Sequence, residues 1–98
     1  MSGTRAPREE LRARVRIVNA RGLHARAAAR LARLAGTFEA EITVARDDLA
    51  VPATSILGLM MLAAAPGTEI DIAARGPDAE AALSAVVDLV RRGFDEED

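Results

Sequence analysis

The chain has no cysteine, tryptophan, tyrosine or lysine, and a single histidine among its 98 residues. Without cysteine there is neither a disulfide framework nor a thiolate metal site. One histidine cannot build a histidine-rich metal cage. Only Phe38 and Phe94 are aromatic, which leaves no stacking platform for single-stranded nucleic acid. The formal net charge of −2 provides no basic field of the kind nucleic-acid binders carry. The N-terminus lacks the apolar run of a signal peptide, and no segment approaches membrane-spanning length. These absences predict a cytoplasmic protein with no metal, no cofactor, no nucleic-acid partner and no membrane insertion.

What is present suits one small domain, too short for an enclosed two-domain cleft. Half the residues are hydrophobic, much of that share alanine, so Leu, Ile and Val must supply the core. Residues 1–10 are polar, aperiodic and interrupted by Pro7, and read as a disordered leader. Residues 95–98 read as a solvated acidic tail. The folded domain is expected to span 11–94.

Within that span Leu11, Ala13, Val15 and Ile17 alternate with Arg12, Arg14 and Arg16, the period of a half-buried strand. From Ala25 to Ala35 the period becomes helical. Ala27, Ala28, Leu31, Leu34 and Ala35 share one face, Arg26, Arg30 and Arg33 another, and Gly36 ends the helix. Ile42 and Val44 mark a second strand. A turn at Arg46–Asp48 leads to a third, Leu49 to Val51, closed by Pro52. Thr54 or Ser55 can cap a helix from Ile56 to about Ala63. Ile70 and Ile72 mark the fourth strand, and a last helix runs from about Pro77 to Arg92. The order β-α-β-β-α-β-α, with one apolar face per strand, predicts an α+β open-faced two-layer sandwich. Its mainly antiparallel four-stranded sheet carries three helices on one face.

The chemistry is expected at Gly22-Leu23-His24-Ala25-Arg26. Gly22 permits a tight exit from the first strand, and Leu23 can anchor the turn. His24 then falls at or just before the first helical residue, beside N–H groups with no intrahelical partner. The positive end of the helix dipole disfavours an imidazolium there by about 0.3–1 kcal/mol, which favours a neutral, nucleophilic ring. A phosphoryl group on that ring would face the backbone donors of Ala25 and Ala27 and the guanidinium fork of Arg26. Such transfer needs mainly positioning and charge stabilisation, so a small domain without a metal can serve. A histidine at a helix start is also commonly an ordinary capping residue.

At this point a resemblance decides between the two. Asn19-x-x-Gly22-Leu23-His24-Ala25-Arg26, followed by Ser55-Ile56-Leu57-Gly58-Leu59-Met60-Met61-Leu62, resembles HPr. That family comprises the histidine-containing phosphocarriers of the bacterial phosphoenolpyruvate-dependent phosphotransferase system. The similarity runs from about Leu11 to Arg92. It implies that His24 is phosphorylated on Nδ1 by phosphorylated enzyme I, itself charged by phosphoenolpyruvate. The group then passes to a histidine of an enzyme IIA domain, in sugar transport or nitrogen-linked regulation. Arg26 corresponds to the phosphate-supporting arginine, and Ser55 to the serine that a dedicated kinase/phosphorylase modifies in some bacteria. The resemblance implies a monomeric covalent carrier, not a stand-alone enzyme. Two positions depart from the pattern: Ala27 replaces a frequent proline, whose preset φ is worth about 0.4–1 kcal/mol, and Thr54 replaces a frequent basic residue.

The second helix carries Ile56, Leu57, Leu59, Met60, Met61 and Leu62 almost all around it. The sheet can bury one face, through Ile56 or Leu59 with Leu62, which leaves a patch of the kind that marks a partner site. Methionine suits a surface that meets several partners. By the resemblance, Ile56, Leu57, Met60 and Met61 join the surroundings of His24 in binding enzyme I and enzyme IIA. The charges of Arg26, Arg30 and Arg33 could steer acidic partners, although such a stripe is more often a solvated helix face. Phosphorylation of Ser55 would add about −1.5 to −2 charges beside that patch. Two other readings are a ferredoxin-like module that binds a small molecule and has no use for His24, and an HPr-like domain kept only for regulatory contacts. A Ser55–His24 hydrolase lacks the buried acid and cleft it would need.

Overall fold

The computed structural model describes residues 9–96. Four strands and three helices follow in the order β1 (Leu11–Arg16), α1 (Ala25–Ala35), β2 (Glu41–Arg46), β3 (Leu49–Pro52), α2 (Ile56–Met61), β4 (Glu69–Arg75) and α3 (Ala79–Arg91), and a 3-10 turn, Gly93–Asp95, closes the fold. The sheet order is β1-β4-β2-β3, and all three pairings are antiparallel. The fold is α+β, an open four-stranded sheet with three helices. A split βαβ arrangement of ferredoxin-like type keeps its first strand inside the sheet; here β1 lies at an edge.

Register explains which side of the sheet is covered. Val15 faces Ile70, Ala13 faces Ile72, and Val44 lies opposite both Ile72 and Val51. Side chains two apart share a face, so these residues form one apolar floor. Helices α1, α2 and α3 pack together over it, and Leu31, Leu59, Val86, Val90 and Phe94 are fully buried there. The other face is polar and wet. On it Arg14 pairs with Asp71 at 2.9 Å and Arg75 with Glu41 at 2.8 Å, exposed pairs of small net stability.

Several expected boundaries shift slightly. Helix α2 stops at Met61, and Arg46 Nη1 donates to the Leu62 and Ala63 carbonyls at its end. Helix α3 begins at Ala79 with Asp78 as its cap, so Pro77 precedes the helix. Strand β3 continues through Pro52, paired in register with Thr43; an edge strand tolerates a residue without an N–H. One larger correction concerns the C-terminus. The fold does not end at residue 94. Gly93, Phe94 and Asp95 adopt φ values of 68°, 58° and 60°, a left-handed turn that sends Glu96 back toward α1. The Phe94 ring is fully buried, and Arg30 Nη1 donates to the Phe94 carbonyl. Residues 97–98 of the expected tail, and 1–8 of the expected leader, lie outside the described residues; Glu10, from the leader's end, binds Arg12 at 2.8 Å.

Candidate phosphoryl-acceptor site

The loop from β1 to α1 is built against the loop from α2 to β4. Ile17 N–H donates to the Thr68 carbonyl at 2.9 Å and Leu23 N–H to the Ala64 carbonyl at 2.9 Å. Asn19, buried, donates from Nδ2 to the Gly22 carbonyl at 2.8 Å and so closes the turn. Leu23 is buried as expected. Its anchoring fixes where the next residue must stand.

That residue, His24, is the N-cap of α1, with extended φ and ψ of −81° and −178°. Its carbonyl accepts the first helical bond, from Ala28 N–H at 2.8 Å, while its side chain makes no capping bond. The amides of Ala25, Arg26 and Ala27 therefore precede the ladder, as donors for an anion. Ala25 and Arg26 are exposed and Ala27 is buried. The helix starts regularly with alanine where proline is frequent, and the Ala27 methyl joins the core. Arg26 has no ion-pair partner among the described residues.

The imidazole is partly covered, its side chain 23% exposed, because Glu96 Oε2 lies 2.5 Å from Nε2. Glu96 Oε1 accepts from Asn19 Nδ2 at 3.0 Å. Burial pushes the Glu96 carboxyl up, but hydrogen bonds from His24 and Asn19 and the charges of His24 and Arg30 outweigh it, so the group sits below its usual value. Nδ1 has no hydrogen-bond partner among the described residues and is not a buried orphan; the one such side-chain atom among them is Asn19 Oδ1.

Ser55 is the N-cap of α2 and accepts from Gly58 N–H at 2.9 Å. Leu59 and Leu62 are buried, and Leu57 and Met61 are 70% and 63% exposed, with Ile56 and Met60 also exposed. The buried side of α2 thus uses Leu59 with Leu62 and not Ile56. The loop that follows α2 is tied to the histidine's loop, because the Ala64 carbonyl accepts from Leu23 N–H. Arg30 Nη1 donates to the Phe94 carbonyl, a neutral acceptor that leaves the guanidinium charged. Sequence reasoning missed Glu96 altogether, since an acidic run at a chain end reads as solvated. The spacing Asn19-x-x-Gly22 carried a signal for Asn19, because asparagine side chains close such turns.

Residues 11–92 match the family model described as the PTS HPr component phosphorylation site. The chain belongs to the HPr phosphocarrier family. Phosphocarrier protein NPr of Shewanella violacea is 47% identical over 87 residues, 89% of this chain and 96% of the relative. Phosphocarrier protein HPr of Treponema pallidum is 43% identical over 83 residues, 85% and 94% of the two chains. The crystal structure of HPr-C-His from Thermoanaerobacter tengcongensis superposes with a TM-score of 0.84 at 39% identity, covering 89% of this chain and 98% of that one. Relatives thus carry both HPr and NPr names. As a member of the family the chain has a phosphocarrier role in a phosphotransferase system. Among the described residues no helix is long and apolar enough to cross a membrane.

Proposed function

We propose that the protein accepts a phosphoryl group on Nδ1 of His24 from phosphorylated enzyme I and passes it, as a monomer, to a histidine of an enzyme IIA domain. The observation that carries this reading is the placement of His24 at the start of α1. Nδ1 has no partner among the described residues there, and three amides stand ahead of the helical ladder.

The sequence of events follows from charge. Nδ1 attacks the phosphorus of the incoming phosphohistidine, and the bond to the donor ring breaks. The phosphoryl oxygens then meet the amides of Ala25 and Ala27 and the Arg26 guanidinium, which favour the anion. Stabilising the adduct too far would end the relay. Ala25 and Arg26 are exposed, so water screens these donors and the adduct is held loosely enough for onward transfer. Ile56, Leu57, Met60 and Met61 supply the contact that both partners share, and a phosphate on Ser55, placed by a kinase/phosphorylase, would set a repelling charge beside it.

Incubation with enzyme I and phosphoenolpyruvate tests the reading. The expected product is an acid-labile, base-stable phosphoprotein that His24→Ala abolishes and that a panel of enzyme IIA domains discharges. An acid-stable adduct on Ser55 alone would overturn it in favour of a regulatory domain.

A further inference from the structure

We propose that Glu96 is a positioning residue for His24: its carboxylate holds the Nε2 proton, leaves Nδ1 as the nucleophile, and supports the positive charge the ring gains with the phosphoryl group. The proposal rests on the carrier reading above. Glu96 lies beyond residues 11–92 that match the family model, in the C-terminal turn that follows α3.

Both oxygens of the carboxylate are committed to the loop that bears the histidine. Oε2 faces His24 Nε2 at 2.5 Å, and Oε1 faces Asn19 Nδ2 at 3.0 Å. The Glu96 side chain is 8% exposed. Three successive left-handed residues deliver it, two of them not glycine, a conformation L-residues adopt only when the surroundings enforce it. Burial of Phe94 and the bond from Arg30 to its carbonyl supply that enforcement. The carboxyl is held in its ionised form, and a carboxylate only accepts. Nε2 must therefore donate. In a neutral ring the lone pair then lies on Nδ1, the nitrogen without a partner among the described residues.

The proton stays in place throughout the cycle. The Nδ1 lone pair bonds to phosphorus, and the electron pair of the broken P–N bond returns to the donor's histidine. His24 now bears a substituent on each nitrogen, and its ring is a cation facing the Glu96 carboxylate. In onward transfer the P–Nδ1 bond breaks, its pair returns to Nδ1, and the ring is neutral again with Nε2–H still on Glu96. Charge rises and falls on the ring with no proton to shuttle.

Long-range proton–nitrogen correlation spectra of the ring at alkaline pH test the tautomer without any enzyme, on the wild type, Glu96→Gln and Glu96→Ala. The wild type should hold Nε2–H alone. Glu96→Gln, whose amide oxygen still accepts, should keep it, and Glu96→Ala should give an averaged mixture. With enzyme I and phosphoenolpyruvate, kcat should fall roughly five- to tenfold in Glu96→Gln and at least as far in Glu96→Ala, the scale of one charge-assisted hydrogen bond. KM should stay within about twofold, since the α2 patch is untouched. Circular dichroism confirms that each variant folds. A wild-type ring protonated on Nδ1, identical spectra for wild type and Glu96→Ala, or unchanged kcat overturns the proposal. A wild type that takes no phosphoryl group overturns the carrier reading and Glu96's part in transfer with it. The spectra, needing no partner, tell that failure from one of Glu96 alone.

Discussion

Gly22 passes so close to Ala64 that a methyl group on its Cα would stand 2.4 Å from the Ala64 carbonyl oxygen. Its φ of +65° adds a second demand for glycine. Gly22→Ala should therefore cost about 2–4 kcal/mol, read as a lower urea midpoint with an unchanged slope. The same carbonyl accepts from Leu23 N–H, so the variant should also accept phosphate more slowly.

Arg26 is exposed and unpaired among the described residues, so its removal should leave the fold alone. Arg26→Ala should keep stability within about 0.5 kcal/mol while slowing phosphorylation by about 10- to 100-fold, the range for a charged hydrogen bond. Arg26→Lys should recover only part of the rate, because an ammonium cannot match the planar fork. Stopped-flow transfer from phosphorylated enzyme I reads both.

Leu57 and Met61 point to water from a helix whose Leu59 and Leu62 are buried. Leu57→Asp and Met61→Asp should weaken binding to enzyme I by at least about tenfold, as a central contact residue does. Their unfolding free energies should stay within about 0.5 kcal/mol of wild type. Titration calorimetry and urea melts separate the two effects.

Ser55→Ala removes the oxygen that accepts from Gly58 N–H. A lost cap costs about 1 kcal/mol, visible in the urea midpoint, and phosphoryl acceptance by His24 should be unaffected. Ser55→Asp can retain the cap and should instead weaken partner binding through its charge.

The Glu96 carboxyl sits below its usual value of about 4.3, with burial opposed by the bonds from His24 and Asn19. A depressed acid stabilises the folded arrangement above the unfolded value, and that contribution disappears as pH falls through the folded one. As pH falls below the ordinary glutamate value and through the lower folded one, the C-terminal turn should therefore detach from Asn19 and His24 while the sheet persists. Resonances of the Asn19 side-chain amide should report the step, and Glu96→Gln should lack it.

Much of this was legible in the residues. Alternation of Val15, Ile70, Ile72, Ile42 and Val44 with polar neighbours named the covered face, because period two fixes sides. The change of period after Gly22 put His24 at a helix start. Strand order was not legible: alternation says which way a side chain points and nothing about which strand lies beside it. Arg30 read as part of a solvated stripe, since its acceptor is a backbone carbonyl that no pattern advertises. Glu96 was invisible for a similar reason. Its partner lies far away in sequence, and a left-handed turn at Phe94 has no compositional mark.

The edge position of β1 has a consequence for synthesis. Its one neighbour in the sheet is β4, so Val15 and Ile17 leave the ribosome long before anything can cover them. Such distant pairing slows closure and prolongs exposure of apolar surface. The β2–β3 hairpin can form early, and the left-handed turn that turns back over the imidazole is made after every strand. A nascent chain halted after α2 would hold its reactive ring without the sheet complete beneath it, so the chemistry awaits the strand and the turn that come later.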